Sequence, residues 1–204
     1  MFNRLNWQPD LPDFRDYPFT GSIAVESLPA SVDLRPSGYL HTDSVATDNP
    51  ILELFAFVVR KEFGPSQVLS KLRTGFGSSV KNSLSTSIRS EVKLIAQRFL
   101  LLPTNYSRLA VNTDTMKQCL ADGYPFVFGF TTYTSFDSST GQIDIPLESE
   151  SVIGNKIMLA VGYDEQNVIL KTYDGLGDNG YYYMPYAYIA NNNLCDDFWT
   201  VRRG

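Results

Sequence analysis

LAVGYD (Leu159–Asp164), GDNGYYYMPYAYI (Gly177–Ile189) and DDFW (Asp196–Trp199) decide how this chain folds. They combine β-branched and aromatic residues with Gly, Asn and Asp at the breaks, which is the signature of short strands joined by tight turns. Strands are predicted over Phe126–Tyr133, Ile157–Tyr163, Val168–Thr172, Tyr181–Met184 and Phe198–Val201. Working outward from them, the apolar period becomes helical in the first half of the chain. Asn49 and Pro50 form an N-cap followed by a first-turn proline, and ILELFAFVVRKEF (Ile51–Phe63) follows. The first two turns of that segment are apolar almost all round, so they are expected to be buried. A second helix is predicted over residues 66–73, and Gly75, Gly77 and Ser78 mark a loop. A third, over residues 87–100, places Ile88, Val92, Ile95, Ala96 and Phe99 on one stripe. A fourth runs from Asp114 as its cap to about Asp122, with Gly123 as its stop signal. Helices followed by strands define an α+β chain of two lobes, parting near residues 110–115.

The chain has 204 residues, enough for one sizeable core or two small lobes sharing an interface. Its net charge of −5 argues against a nucleic-acid footprint, which needs a clustered basic face. No apolar run approaches the roughly 18 residues of a membrane span, and the first residues lack the apolar core of a secretory signal. A cytoplasmic protein, or one assembled into a particle there, is therefore expected. Two cysteines, Cys119 and Cys195, do not make a disulfide framework. Residues 1–38 are rich in proline and aspartate, with Trp7, Phe14 and Tyr17 spaced among them. They are expected to form an extended arm pinned to the body by those three rings, leaving residues 39–204 as one domain. Thirteen phenylalanines and twelve tyrosines suit a β-containing core or a contact surface. Trp7, Phe14 and Tyr17 on the arm are also candidate interface residues, as are those of Tyr181, Tyr182, Tyr183, Tyr186 and Tyr188 on the outward alternation of the strand.

Three further segments precede the C-terminal ones in order: WQPDLPDFRDYPF (Trp7–Phe19), LPASVDLRPSG (Leu28–Gly38) and LADGYPFVFGFTTYTSF (Leu120–Phe136). Together with the C-terminal stretch they resemble the papain family of cysteine peptidases. The resemblance implies a helical N-terminal lobe, about residues 39–112, and an antiparallel β-barrel lobe, about residues 113–204. It also implies where chemistry would sit. Such an enzyme needs a thiolate at the N-terminus of its central helix, where the helix dipole and an imidazolium lower the thiol pKa. That position falls on Leu52, or one residue away on Ile51. The oxyanion-binding glutamine falls near Ala46, the general-base histidine on Lys156, and the asparagine orienting that base near Thr172. The family's NSWG is replaced by TYDG, leaving Asp174 and Leu176 where tryptophans are usual.

The chain's only histidine, His41, lies far upstream of the general-base position. The sequence therefore predicts a catalytically degenerate papain-like protein with no catalytic residues, no cofactor and no metal. Lys156 acting as a base beside Ser44 or Ser151 lacks a supporting nucleophile motif. DGLGDNG (Asp174–Gly180) lacks the spaced ligands of a calcium loop. Two roles fit: a structural or interaction subunit of a larger assembly, such as a virion, or a module that holds an extended peptide in the vestigial cleft uncut. In either role its partners are proteins or further copies of itself.

Overall fold

The buried centre is a helix, α1 (Pro50–Phe63), and its sequence explains both its ends and its environment. Asn49 caps it with its side-chain oxygen, Pro50 opens the first turn, and Gly64 at φ 88° ends it. Every residue from Pro50 to Arg60 is buried, which suits its mostly apolar sequence, with Glu53 and Arg60 buried as an ion pair. A computed structural model describes residues 7–40, 49–64, 87–98, 104–137, 139–172 and 177–203. The predicted helix at 66–73 and its following loop lie outside these residues, as do His41, Ser44, Ala46, Phe99, Asp174 and Leu176.

Around α1 the described residues form two further multi-turn helices and one antiparallel sheet. Helix α2 (Ile88–Arg98) buries Ile88, Val92 and Ile95, the stripe its spacing predicts. Helix α3 (Thr113–Ala121) buries Met116, Cys119 and Leu120. Its cap is Asn112, whose Oδ1 accepts from the Thr115 amide at 2.8 Å, and not Asp114 as expected. A side-chain oxygen at the N-cap bonds forward to the amides two or three residues on; Asp114 is already inside the first turn.

The strands are β1 (Val32–Asp33), β2 (Thr104–Arg108), β3 (Phe126–Tyr133), β4 (Val152–Tyr163), β5 (Asn167–Lys171), β6 (Tyr181–Pro185) and β7 (Cys195–Arg203). They pair in the order β2-β7-β3-β4-β5-β6, and β1 joins β4. All pairings are antiparallel. Single helical turns, α4 (Thr134–Asp137) and α5 (Tyr186–Ile189), follow β3 and β6. Strand β3 is buried over Phe126–Phe130 because both of its faces are covered, which accounts for its continuous apolar run. Phe126, Phe128, Phe130 and Phe198 share ring contacts there, with Phe128 stacked on Phe198 at 5.1 Å between centroids. Helix α1 packs against β7, β4, β3 and α2.

The N-terminal arm crosses this body and is held mainly by polar groups. Trp7 is 3% exposed and is a deep apolar anchor of the arm. Phe14 and Tyr17, expected as further pins, stand 97% and 70% exposed. The pinning falls instead to carboxylates and backbone: Asp16 meets Arg89 at 2.6 Å and Arg108 at 3.3 Å. Farther along, the Ser22 hydroxyl bonds to Asp122 and the Ile23 carbonyl accepts from Gln118 at 2.7 Å. The arm ends by pairing Val32 and Asp33 with Tyr163 and Gly162. A Cβ on Gly162 would meet the Val32 carbonyl oxygen at 2.5 Å, so a glycine in LAVGYD lets β1 lie this close.

Candidate functional site

The first turn of α1 holds Leu52, where the resemblance places a nucleophile, and its amides are already engaged. Asn49 Oδ1 accepts from the Ile51 amide at 2.8 Å and from the Leu52 amide at 3.1 Å. Asn49 Nδ2 in turn donates to Glu91 Oε1 of α2 at 2.5 Å. Glu91 is buried, its Oε2 has no hydrogen-bond partner among the described residues, and burial raises its pKa against the opposing pull of Asn49. An amide that would face a developing oxyanion is thus bonded within the protein. Leu52 itself is 6% exposed and belongs to the core.

One residue on, Glu53 joins α1 to the sheet. Its Oε1 lies 3.3 Å from Arg60 Nη1 and 3.6 Å from Lys171 Nζ at the end of β5. Arg60 Nη1 also donates to the Tyr39 carbonyl at 2.5 Å. Burial lowers the Lys171 pKa, with the Glu53 charge opposing it. Lys171 precedes Thr172, so this ion pair ties the first turns of α1 to the end of β5, at a seam between the two. Thr172 is buried, and its amide donates to the Gly180 carbonyl at 2.9 Å. Lys156 lies on the neighbouring strand β4, opposite Phe130, and its ammonium sits 4.7 Å from the centroid of the Phe136 ring.

Neither cysteine is placed as a displaced nucleophile. Cys119 and Cys195 are both buried, and burial pushes the Cys119 thiol up to about 11 and the Cys195 thiol well above its ordinary range. A thiol held neutral in this way is inert. Among the described residues no group of three or more His, Cys, Asp or Glu side chains is placed to hold a metal ion, and no helix is long and apolar enough to cross a membrane.

The structure corrects part of the expected contact surface. Trp7, Tyr182 and Tyr188 are buried and are not available to a partner. Tyr182 packs on Phe136, and the Tyr188 hydroxyl donates to the Thr131 carbonyl at 2.6 Å. Strand alternation turns Tyr182 inward; Tyr188 follows from the turn of α5. Tyr181, Tyr183 and Tyr186 are half-buried and engaged with the body. The Arg35 guanidinium lies over the Tyr181 ring and bonds to the Tyr183 hydroxyl at 3.2 Å. The Tyr186 hydroxyl donates to the Asp164 carbonyl at 2.6 Å. Exposed aromatic surface belongs to Phe14 and Tyr17 on the arm.

Sequence reasoning passed over the richest polar cluster: Asp10, Asp16, Arg89, Arg108, Asp196 and Asp197. Its signal was present in Gly129, a glycine within an otherwise apolar strand, which marks a close approach by another group.

A capped helix buried against an antiparallel sheet, with the arm's end paired to its fourth strand, is the papain-like cysteine peptidase architecture, and this chain has that fold. Over its full length the chain is similar to xylellain, a cysteine protease from Xylella fastidiosa (26% identity, TM-score 0.67, 99% of that chain covered). It superposes with the same TM-score on digestive procathepsin L2 from the larval midgut of Tenebrio molitor, at 14% identity over 98% of this chain and 78% of the other. Among curated proteins it is similar to an uncharacterized peptidase C1-like protein of Acanthamoeba polyphaga mimivirus, at 32% identity over 139 residues. That match covers 60% of this chain but 45% of the relative, so the chain spans about half the length of the curated relative it matches. No family model matches the chain.

Proposed function

We propose that this chain is a non-catalytic papain-like protein that serves as an interaction subunit of a larger assembly. The observation that supports the reading is at the start of α1: the Leu52 amide is held by Asn49, and Leu52 stands where the resemblance places the nucleophile. Peptide hydrolysis by this fold needs an attacking thiolate, an imidazole to move protons and donors for the oxyanion. Leu52 carries no thiol and Lys156 no imidazole, and Thr172 stands where the resemblance places the asparagine that orients that imidazole. Burial of Leu52 and Thr172 favours assembly over capture of a peptide in the former cleft. Similarity to a mimivirus protein makes a virus particle one specific setting for such a subunit.

The test has two arms. The double variant Leu52→Cys with Lys156→His is expected to leave fluorogenic peptides uncut, because the Asn49 cap and Thr172 remain. Robust turnover would mean that the scaffold is still a working catalyst. Cross-linking in native material, read by mass spectrometry, is expected to join the arm face around Phe14 and Tyr17 to another protein. Recovery of the chain as an uncross-linked monomer would overturn the assembly role.

A further inference from the structure

The arm is bound through a four-residue motif, Trp7-Gln8-Pro9-Asp10, that the body reads at both ends. Trp7 lies against Gly129 of β3, where a Cβ would stand 2.0 Å from indole Cε2. The slot exists because that residue is glycine. Indole Nε1 donates to Asp197 Oδ2 at 3.2 Å, and the Trp7 carbonyl accepts from Asn155 Nδ2 at 2.9 Å. The Asp10 amide donates to the same Asp197 Oδ2 at 2.6 Å. The Asp10 carboxylate accepts from Ser87 Oγ at 2.6 Å and from the Arg89 amide at 3.3 Å, at the start of α2, and lies 3.9 Å from Arg89 Nη1. Asp197 is fully buried, adopts φ 58° and is held on its other oxygen by Arg108 at 3.0 Å. Gly129 and Phe130 present opposite faces of β3, and Lys156 pairs with Phe130. The slot therefore lies across the sheet from the vestigial base position.

We propose that Gly129, Asn155, Asp197 and the Ser87–Arg89 turn form a peptide-recognition site for a tryptophan followed three residues later by an aspartate. The chain's own arm fills it in cis, and the arm of a second copy is its partner in trans. A buried carboxylate and an amide donor fix the indole and its carbonyl, while the start of α2 fixes the carboxylate. Selectivity arises because a smaller or acceptor-bearing side chain would cost the buried Asp197 Oδ2 its indole donor and leave it the Asp10 amide alone. A tethered arm enjoys an effective concentration on the order of millimolar, so exchange between copies requires either crowding within an assembly or a weakened cis contact. Leu11, Phe14 and Tyr17 remain exposed on the docked arm, so they can be covered when two copies come together. The inference goes beyond the proposed function, since it stands whether or not the former cleft is catalytic.

Full-length variants test it. Trp7→Ala empties the slot but leaves it intact, whereas Gly129→Ala blocks the slot and leaves the arm's tryptophan unseated. Mixed in equal amounts, the two are expected to form a heterodimer by analytical ultracentrifugation, while each alone does not. A labelled peptide of residues 7–19 is expected to bind folded Trp7→Ala protein at least 10-fold more tightly than wild type, whose slot is occupied. Replacing the peptide's tryptophan by alanine is expected to weaken it about 30-fold. Asp10→Ala, which weakens the arm without emptying a buried space, serves as the second host for the peptide. No peptide binding to either folded host would overturn the site. Peptide binding without a heterodimer would overturn the second copy as the partner.

Discussion

The start of α1 and the arm's anchorage on Gly129 and Asp197 treat polar groups in opposite ways. At the first, polar groups are bonded within the protein: the Leu52 amide donates to Asn49, Asn49 donates to Glu91, and the Glu53 carboxylate accepts from Arg60 and pairs with Lys171. At the second, a buried carboxylate and two arginines gather to hold one segment of chain, with Arg89 and Arg108 both lying 5.8 Å from the Trp199 ring. The first cluster is satisfied within the body, and the second is satisfied by the arm. The distinction is energetic as well as geometric. Groups satisfied within the body stabilise one structure, whereas groups satisfied by a separate segment of chain can exchange one copy of that segment for another.

The largest expected effect tests the closed region. Glu53→Ala would leave Arg60 and Lys171 buried without their shared carboxylate, and removing one member of such a cluster costs about 3–5 kcal/mol. Urea denaturation is expected to show a loss of that size. A loss below about 1 kcal/mol, the scale of an exposed pair, would show that the seam between α1 and β5 is open to water. A smaller effect is expected from Asn49→Ala, which removes the cap of α1. It should cost about 1–2 kcal/mol, the upper part of the usual range for a cap, because Glu91 loses a partner as well. An unchanged midpoint would mean that the Leu52 amide is not held as described.

The smallest effect sharpens the recognition region through pH. Burial pushes the Asp197 carboxyl up to about 6, helped by the nearby Asp10 and Asp196 charges and opposed by the Asp10 amide and Arg108. The native chain therefore holds this proton more tightly than the unfolded chain does. Its contribution is fully present below the ordinary carboxylate pKa and is lost as the pH rises through about 6. Asp16 acts in the opposite sense, since Arg89 and Arg108 outweigh its burial and lower its pKa; its contribution is lost as the pH falls. Subtracting the profile of Asp197→Asn, which keeps Asp16, isolates the first group. The stability difference between wild type and this variant is expected to decline from about pH 4 to about pH 6 and to be level above. A difference that rises over the same interval would mean that Asp197 is ionised and held chiefly by Arg108.

Much of the fold was legible because its signals are local. Asn49-Pro50 and the apolar run after it announce α1, and the stripe of Ile88, Val92 and Ile95 announces α2. Strand β2 was missed because TNYSR is polar; it forms because β7 offers it an antiparallel edge over Thr104–Arg108. Strand β7 was expected to begin at Phe198 but begins at Cys195. The left-handed backbone at Asp197 and the register shift between Val127 and Gly129 interrupt the pattern without ending the strand. Phe14 and Tyr17 were misjudged as pins because aromatic spacing alone does not reveal which side of an extended segment faces the body.

The sequence by itself determined the fold class and which residues stand where the family resemblance places its catalytic groups, since both are matters of local pattern and register. Only the tertiary structure decided that the Leu52 amide is occupied, that Glu53 reaches Lys171 and that Trp7 meets Gly129 and Asp197. Those contacts join residues up to 190 positions apart. Such pairings depend on how strands and helices stack, and no short-range preference of the chain encodes them.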